Sequence, residues 1–356
     1  MAREKPIGYG IIGVGIWGQL HARVLSESAE KVHLVAVCDL DGERARQVAD
    51  QYHIPRVYTS YQELLQNPEV EAVSVATPDF AHGPPALAVL QAGRHLLVDK
   101  PMATTVAECL QILKAAKEAR VTLMVDFHNR WSPAFYTARQ TIRSGEIGEL
   151  KYIYFRLNDT IYVPTRYISW AARSSVLWFL GPHAVDTLRW LFDDEVSKVY
   201  AVRRSGVLSG QGIDTPDFYS IILQFERGGV AHLEHSWIVA ASTPSLFDLK
   251  CELQGAKGTL YIDTSSNRSL EVYSERTPQG YPFQPYVDTT LMPVIHGNQV
   301  GFGAQSIRHF ADCLWSGSQP LATGLDGLRA TEILTSIERS AQLDQPVAVE
   351  KHPFEM

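Results

Sequence analysis

Residues 8–25 read GYGIIGVGIWGQLHARVL. An apolar run closes on Gly13, Gly15 and Gly18 and continues with helical spacing, so bare backbone is wanted where a strand hands over to a helix. A dinucleotide, a membrane or a plain tight turn could each ask for it. A secretory leader is not expected: Arg3 and Lys5 precede the run, but Glu4 sits between them, glycines interrupt it, and no small-x-small cleavage site comes before Gln19 and His21.

The dinucleotide reading gives each glycine a task. In Gly13-Val14-Gly15-Ile16-Trp17-Gly18 the first glycine makes the turn, the second lets backbone approach a pyrophosphate, and the third lets helix and strand pack closely. The amides at Ile16, Trp17 and Gly18 then point at the phosphates from a helix N-terminus. Working outward, Asp39 ends the next apolar run roughly twenty residues later, where a carboxylate can hold the adenosine ribose 2′-hydroxyl. That charge, with Asp41 beside it, repels a 2′-phosphate, so NAD is favoured over NADP; Arg44 offsets it in part.

Up to residue 126 the chain alternates short apolar runs with amphipathic segments. The runs are 7–13, 33–39, 72–78, 94–100 and 121–127, and the helical segments include 42–52, 83–93 and 105–119. Strands apolar throughout and alternating with helices imply a doubly wound parallel sheet, which binds ligands beyond the carboxyl ends of its strands. From about residue 149 the strands lengthen and alternate apolar with polar, at 149–159, 217–237, 247–263 and 269–275, with turns at Arg227-Gly228-Gly229 and Gly255-Ala256-Lys257-Gly258. A large, mostly antiparallel open sheet is predicted, with helices at 181–192, 305–317 and 325–342 and a Pro-rich surface loop at 277–293. The expected division is an α/β dinucleotide-binding domain over 1–127 and an α/β substrate-binding and oligomerisation domain over 128–356.

Composition narrows the function classes. The 356 residues carry a net charge of -7, and no Lys/Arg run makes a nucleic-acid footprint. No 18-residue apolar stretch suggests a membrane span. Cys38, Cys109, Cys251 and Cys313 lie far apart in sequence, as reduced thiols in a cytoplasm would. No metal site is expected, since His232 and His235 would face opposite ways on one strand.

Several stretches carry a resemblance: GIIGVGIWG (10–18), VATPDFAH (75–82), AGRHLLVDKP (92–101), NRWSP (129–133), GEIGEL (145–150), LGPHAVDTLRWL (180–191), QGAKGTLYI (254–262) and LDGLRATEI (325–333). In these the chain resembles the glucose-fructose oxidoreductase, inositol dehydrogenase and rhizopine-catabolism family, Gfo/Idh/MocA. The resemblance implies a Rossmann domain, a second α/β domain, a small-molecule sugar or polyol substrate, and homodimers or homotetramers formed through the second sheet. It also implies site residues. The family's Glu-Lys-Pro corresponds to Asp99-Lys100-Pro101, making Lys100 a catalytic residue and a cofactor contact. Thr77 and His82 become cofactor neighbours.

The family's Asp-x-x-x-His-x-x-Asp reads here Phe179 to Asp186, so His183 is the general base and Asp186 orients it or meets substrate. Alcohol oxidation needs a hydroxyl proton removed, and imidazole titrates in the right range. Phe179 replaces the first acid, which leaves Lys100 and His183 as the proton-handling pair. Residues 158–179 are rich in Tyr, Trp and Arg, groups suited to the apolar faces and hydroxyls of a sugar. Asn158, Arg166 and Trp170 are the expected substrate contacts. The leading reading is an oxidoreductase moving a hydride between NAD and a secondary alcohol of a sugar, glycoside or cyclitol. Alternatives are an NAD-dependent glycoside hydrolase that oxidises transiently and a non-catalytic NAD-binding sugar sensor.

Overall fold

The computed structural model describes residues 5–243, 245–265 and 288–354. The strand expected at 269–275 and most of the loop expected at 277–293 lie outside the described residues. The described chain forms two compact units, one of residues up to Trp131 with Thr290–Thr331, the other of Ser132–Thr289 with Glu332–His352.

The first unit is built on six parallel strands: β1 (Ile7–Ile12), β2 (Val32–Cys38), β3 (Arg56–Tyr58), β4 (Ala72–Val75), β5 (His95–Val98) and β6 (Leu123–Val125). Their order, β3-β2-β1-β4-β5-β6, reverses direction between β1 and β4. That switch opens a crevice at the strands' carboxyl ends. All six residues of β1 are buried, as a sheet covered on both faces requires. The helices are α1 (Ile16–Ser26), α2 (Gly42–Tyr52), α3 (Tyr61–Leu65), α4 (Gly83–Gln91) and α5 (Val106–Ala119). Local chemistry sets several of their ends. Asp41 caps α2 by accepting from the N–H groups of Glu43 and Arg44, and Thr105 caps α5 by accepting the Glu108 N–H while its hydroxyl donates to the Glu108 carboxylate.

The second unit starts with α6 (Pro133–Arg143) and β7 (Leu150–Asp159), followed by α7 (Val176–Phe192), β8 (Val196–Arg204), β9 (Phe218–Phe225), β10 (Val230–Ser236), β11 (Phe247–Gly255) and β12 (Thr259–Asp263). With the short strand Val347–Ala348 beside β8 these make a seven-stranded sheet in the order β12-β11-β7-β10-β9-β8 and then that strand. Every pairing is antiparallel except β7 with β10. Strict alternation sorts the side chains: Ile153, Phe155, Leu157, Ala231, Leu233 and His235 are buried on the face that α7 covers.

The chain then returns to the first unit with α8 (Phe302–Ser316), so the division is not a single cut near residue 127. The reason is burial: Ala304, Ile307, Phe310 and Ala311 of α8 join Tyr9, Ile11 and Val24 in one core, with the Tyr9 and Phe310 rings edge to face at 6.4 Å. Each such fully buried side chain contributes roughly 1.5–3 kcal/mol. The last helix, α9 (Gly324–Leu343), supplies residues to both units.

Candidate active site

The glycine loop answers the question its sequence raises. Gly13 has φ +84°, and a Cβ there would stand 2.7 Å from the Ala76 carbonyl oxygen. A Cβ on Gly18 would stand 1.9 Å from the Gly13 carbonyl oxygen, so helix and turn touch only because it is glycine. Gly15 differs, with nothing within 4 Å of its Cβ position. Its space is open at the N-terminus of α1, which is what a pyrophosphate cradle needs. Ile16, the first residue of α1, is 48% exposed beside that opening.

Asp39 does more than await a ribose. Its Oδ2 accepts the Val14 N–H at 2.9 Å and its Oδ1 accepts the Asp41 N–H at 2.9 Å. A carboxylate has about four lone-pair sites, so acceptor capacity remains for a 2′-hydroxyl. Arg44 pairs with Asp41 at 3.0 Å, and its backbone N–H and guanidinium hold the Asp41 carboxyl below the usual range.

At the carboxyl end of β4, Thr77 donates its hydroxyl to the Ala81 carbonyl at 3.0 Å. His82 turns Nε2 to the Thr77 carbonyl at 2.7 Å and Nδ1 to the Pro101 carbonyl at 2.6 Å. Thr77 and His82, expected beside the cofactor, bind backbone with their polar atoms, and His82 ties this turn to the Lys100-Pro101 segment. The Lys100-Pro101 peptide is cis. Asp99 and Asp126 follow the paired residues Val98 and Val125 on adjacent strands, so two carboxyls stand side by side. Burial pushes both up, Asp126 to about 7 with Asp99 adding to the rise, while the Lys100 ammonium pulls both down.

In the second unit, Ser175 caps α7 by accepting the Trp178 N–H at 3.3 Å. The helix therefore begins a turn earlier than the Gly181-Pro182 pair suggests, and runs through Pro182. Phe179, His183 and Asp186 fall at i, i+4 and i+7 on one face. His183 is half-buried, whereas Asp186 is 1% exposed and belongs to the interior. Phe179, standing where the family's acid would be, packs between the rings of Trp170 and Trp237, each 5.8 Å away by centroid.

Trp237 in turn donates its indole N–H to Asp159 Oδ2 at 3.1 Å. Asp159 ends β7 on the α7 side of the sheet, so an acid reaches this aromatic cluster from a strand instead of from the helix. Arg166 is exposed and lines a cleft of about 440 Å³ with Ile161, Thr165, Gln211 and Ile213.

Asn158 departs from expectation. It lies on the other face of the sheet, where its amide donates to Glu234 Oε1 at 2.7 Å and Tyr154 donates to Glu234 Oε2 at 2.9 Å. The period of two sends neighbours on a strand to opposite faces. Asn158 therefore cannot serve with His183 from that position, and the polar residue on the α7 face is Asp159. Counting inward from Leu157, a core position, would have found it. In the first unit, Asp126 stands buried beside the glycine-loop helix, bonded to the Trp17 indole, at a position that no local motif marks.

Among the described residues, no group of His, Cys, Asp or Glu could hold a metal ion, and no helix is long and apolar enough to cross a membrane.

Residues 7–127 match the oxidoreductase family with an NAD-binding Rossmann fold, and residues 135–261 match the Gfo/Idh/MocA C-terminal domain. An inositol 2-dehydrogenase of Acidothermus cellulolyticus is 31% identical over 265 residues, 74% of each chain. The scyllo-inositol 2-dehydrogenase (NAD(+)) of Bacillus subtilis is 25% identical over 98% of this chain and 97% of its own. Among solved structures, GenD2 from gentamicin A biosynthesis, in complex with NAD, superposes with a TM-score of 0.83 at 25% identity, covering 98% of this chain and 97% of that one. With a glycine cradle open at Gly15 and an acid at Asp39, the first unit is an NAD-binding Rossmann fold, and the chain belongs to the Gfo/Idh/MocA family of oxidoreductases.

Proposed function

We propose that this chain is an NAD-dependent dehydrogenase acting on a secondary alcohol of a sugar, glycoside or cyclitol. The observation that carries the reading is the 31% identity, over three-quarters of the chain, to an inositol 2-dehydrogenase. Bound nicotinamide supplies the acceptor or donor for the hydride. The amides of Ile16, Trp17 and Gly18 hold the pyrophosphate, and Asp39 holds the adenosine ribose. Lys100 donates a hydrogen bond to the reacting hydroxyl oxygen, and His183 takes the hydroxyl proton as the carbon is oxidised. Arg166, Trp170 and Asp159 bind the rest of the substrate, with hydroxyls going to the charged groups and C–H faces to the ring.

The protein works as a homo-oligomer in the cytoplasm on this reading. The outer face of the second sheet supports self-association, since it presents Tyr154, Arg156, His232 and Glu234 around Ile222, which is 42% exposed. The four cysteines, all buried and none in a disulfide, support a reducing compartment.

The test is incubation with NAD and a panel of inositols, aldoses, sugar acids and glycosides, following NADH absorbance and products by mass spectrometry. NADH formed with one polyol class, and lost on Lys100→Ala or His183→Ala, is the expected result. Glycoside cleavage without net NADH would replace the reading by the hydrolase, and binding without turnover by the sensor.

A further inference from the structure

The carboxyl of Asp126 has no side-chain access to solvent, and the groups that act on it come from α1, α8 and the end of β5. Its Oδ2 accepts the Trp17 indole N–H at 3.1 Å. His21 Nε2 stands 3.8 Å away, beyond hydrogen-bond reach. Trp17 and His21 are one turn apart on α1, so this one acid is straddled by two residues of the helix that begins at the glycine loop. His21 is held from behind, its Nδ1 2.9 Å from Ser74 Oγ, which lies 2.9 Å from the Tyr9 hydroxyl. The Trp17 ring also lies against His128, 4.9 Å between centroids. Ser306 of α8, and Asp99 and Lys100 from the end of β5, also act on the carboxyl, Ser306 and Lys100 favouring its charged form and Asp99 opposing it.

This arrangement is costly. Asp126 Oδ1 and His21 Nε2 are buried without a hydrogen-bond partner, and an unpaired buried polar atom opposes folding. Core packing alone would be served better by an apolar side chain. What the acid secures is the orientation of Trp17, the second residue of α1. Its neighbours in the loop, Gly13 and Gly15, are the residues with least conformational restraint of their own. Hydrogen bonds from the first-turn amides weaken steeply as their angle departs from linear, so the turn must be held in rotation as well as in place.

We propose that Asp126 is a positioning residue for the dinucleotide, fixing the first turn of α1 through the Trp17 indole so that its amides meet the pyrophosphate. Asp126 does not touch NAD. Oδ2 accepts from the indole whether or not the carboxyl carries a proton, and an amide oxygen at the same place would do so too. The inference rests on NAD binding by the first unit and is independent of which alcohol is oxidised.

The experiment is calorimetric titration of the purified chain with NAD and, separately, with ADP-ribose, which has the pyrophosphate and lacks the nicotinamide. Asp126→Leu and Trp17→Phe should each weaken both ligands about tenfold, the size of one lost hydrogen bond of this kind. The double variant should bind no more weakly than either single one, and Asp126→Asn should restore affinity to within about twofold. Trp17→Phe keeps an aromatic ring beside His128 while removing the indole N–H, so it tests the proposal even where Asp126→Leu fails to fold, and the Asn variant at 126 separates the hydrogen bond from lost packing. Wild-type affinity in Trp17→Phe would overturn it. So would a loss confined to NAD with ADP-ribose unchanged, or an Asn variant as weak as the Leu variant. A wild-type chain that binds NAD but oxidises no polyol would count against the proposed reaction and leave this test valid.

Discussion

Asp39 holds the N–H of Val14 at 2.9 Å, so the acid at the end of β2 is a structural member of the glycine loop that opens α1. The two parts of the dinucleotide signature are thus one hydrogen-bonded unit. Asp39→Asn keeps an acceptor for Val14 and removes the charge that repels a 2′-phosphate. The ratio of NADP to NAD affinity should rise roughly tenfold, the scale of one lost charge repulsion near the surface. Titration of the variant with both cofactors checks it; an unchanged ratio would show that Asp39 does not face the ribose.

Gly15 and Gly18 should respond oppositely to alanine. At Gly15 the new methyl meets nothing, so Gly15→Ala should fold normally and bind NAD at least about tenfold more weakly, because the methyl occupies the cradle. At Gly18 it would stand 1.9 Å from the Gly13 carbonyl oxygen, and Gly18→Ala should lower stability by about 2 kcal/mol or more. Melting curves and NAD titrations on the pair separate binding from folding. Equal effects on both properties in both variants would contradict the assignment.

His183 and Lys100 should matter to turnover more than to cofactor binding. His183→Asn is expected to lower kcat by about 10²–10⁴, the usual worth of a positioned acid–base group, with the NAD dissociation constant within about twofold. Stopped-flow hydride transfer with a competent polyol is the measurement. A kcat near wild type would remove His183 from the chemistry.

Stability should carry a pH signature of the buried acid. Burial, then Asp99, pushes Asp126 from 3.8 to about 7. Between these values the folded chain holds a proton that the unfolded chain has released, so this group adds stability as pH falls through about 7 and adds none above it. Burial sets His21 and His128 the other way, lowering each from 6.5 to about 3, so they cost stability as pH falls below 6.5. The difference between wild type and Asp126→Asn isolates the acid. It should shift by about 3 kcal/mol in favour of wild type between about pH 8 and about pH 5 in denaturant unfolding. A pH-independent difference would mean Asp126 is ionised throughout.

What the sequence made legible was local. Gly13, Gly15, Gly18 and Asp39 could be placed because strand, turn, helix and acid follow one another in a fixed order, and α2 fell at 42–52 as read because Asp41 caps its start. The beginning of α7 was hidden by Gly181-Pro182, which imitates a helix start, while the Ser175 cap lies a turn and a half earlier. Asn158 and Asp159 show why residue type alone does not place a strand side chain: one residue of phase puts Asn158 with Glu234 on one face and Asp159 with Trp237 on the other. The contacts of Trp17 with Asp126, and of α8 with the core around Tyr9, join residues more than a hundred positions apart. No spacing rule reaches that far, so only packing reveals them.

The most direct test of the account follows one atom. A polyol found competent in the panel, deuterated at the carbinol carbon, is incubated with NAD, and the reduced cofactor and product are weighed by mass spectrometry. Direct transfer predicts one deuterium in the reduced cofactor for each ketone formed. Deuterium released to water, or kept in a cleaved glycoside with no reduced cofactor accumulating, would contradict a dehydrogenase.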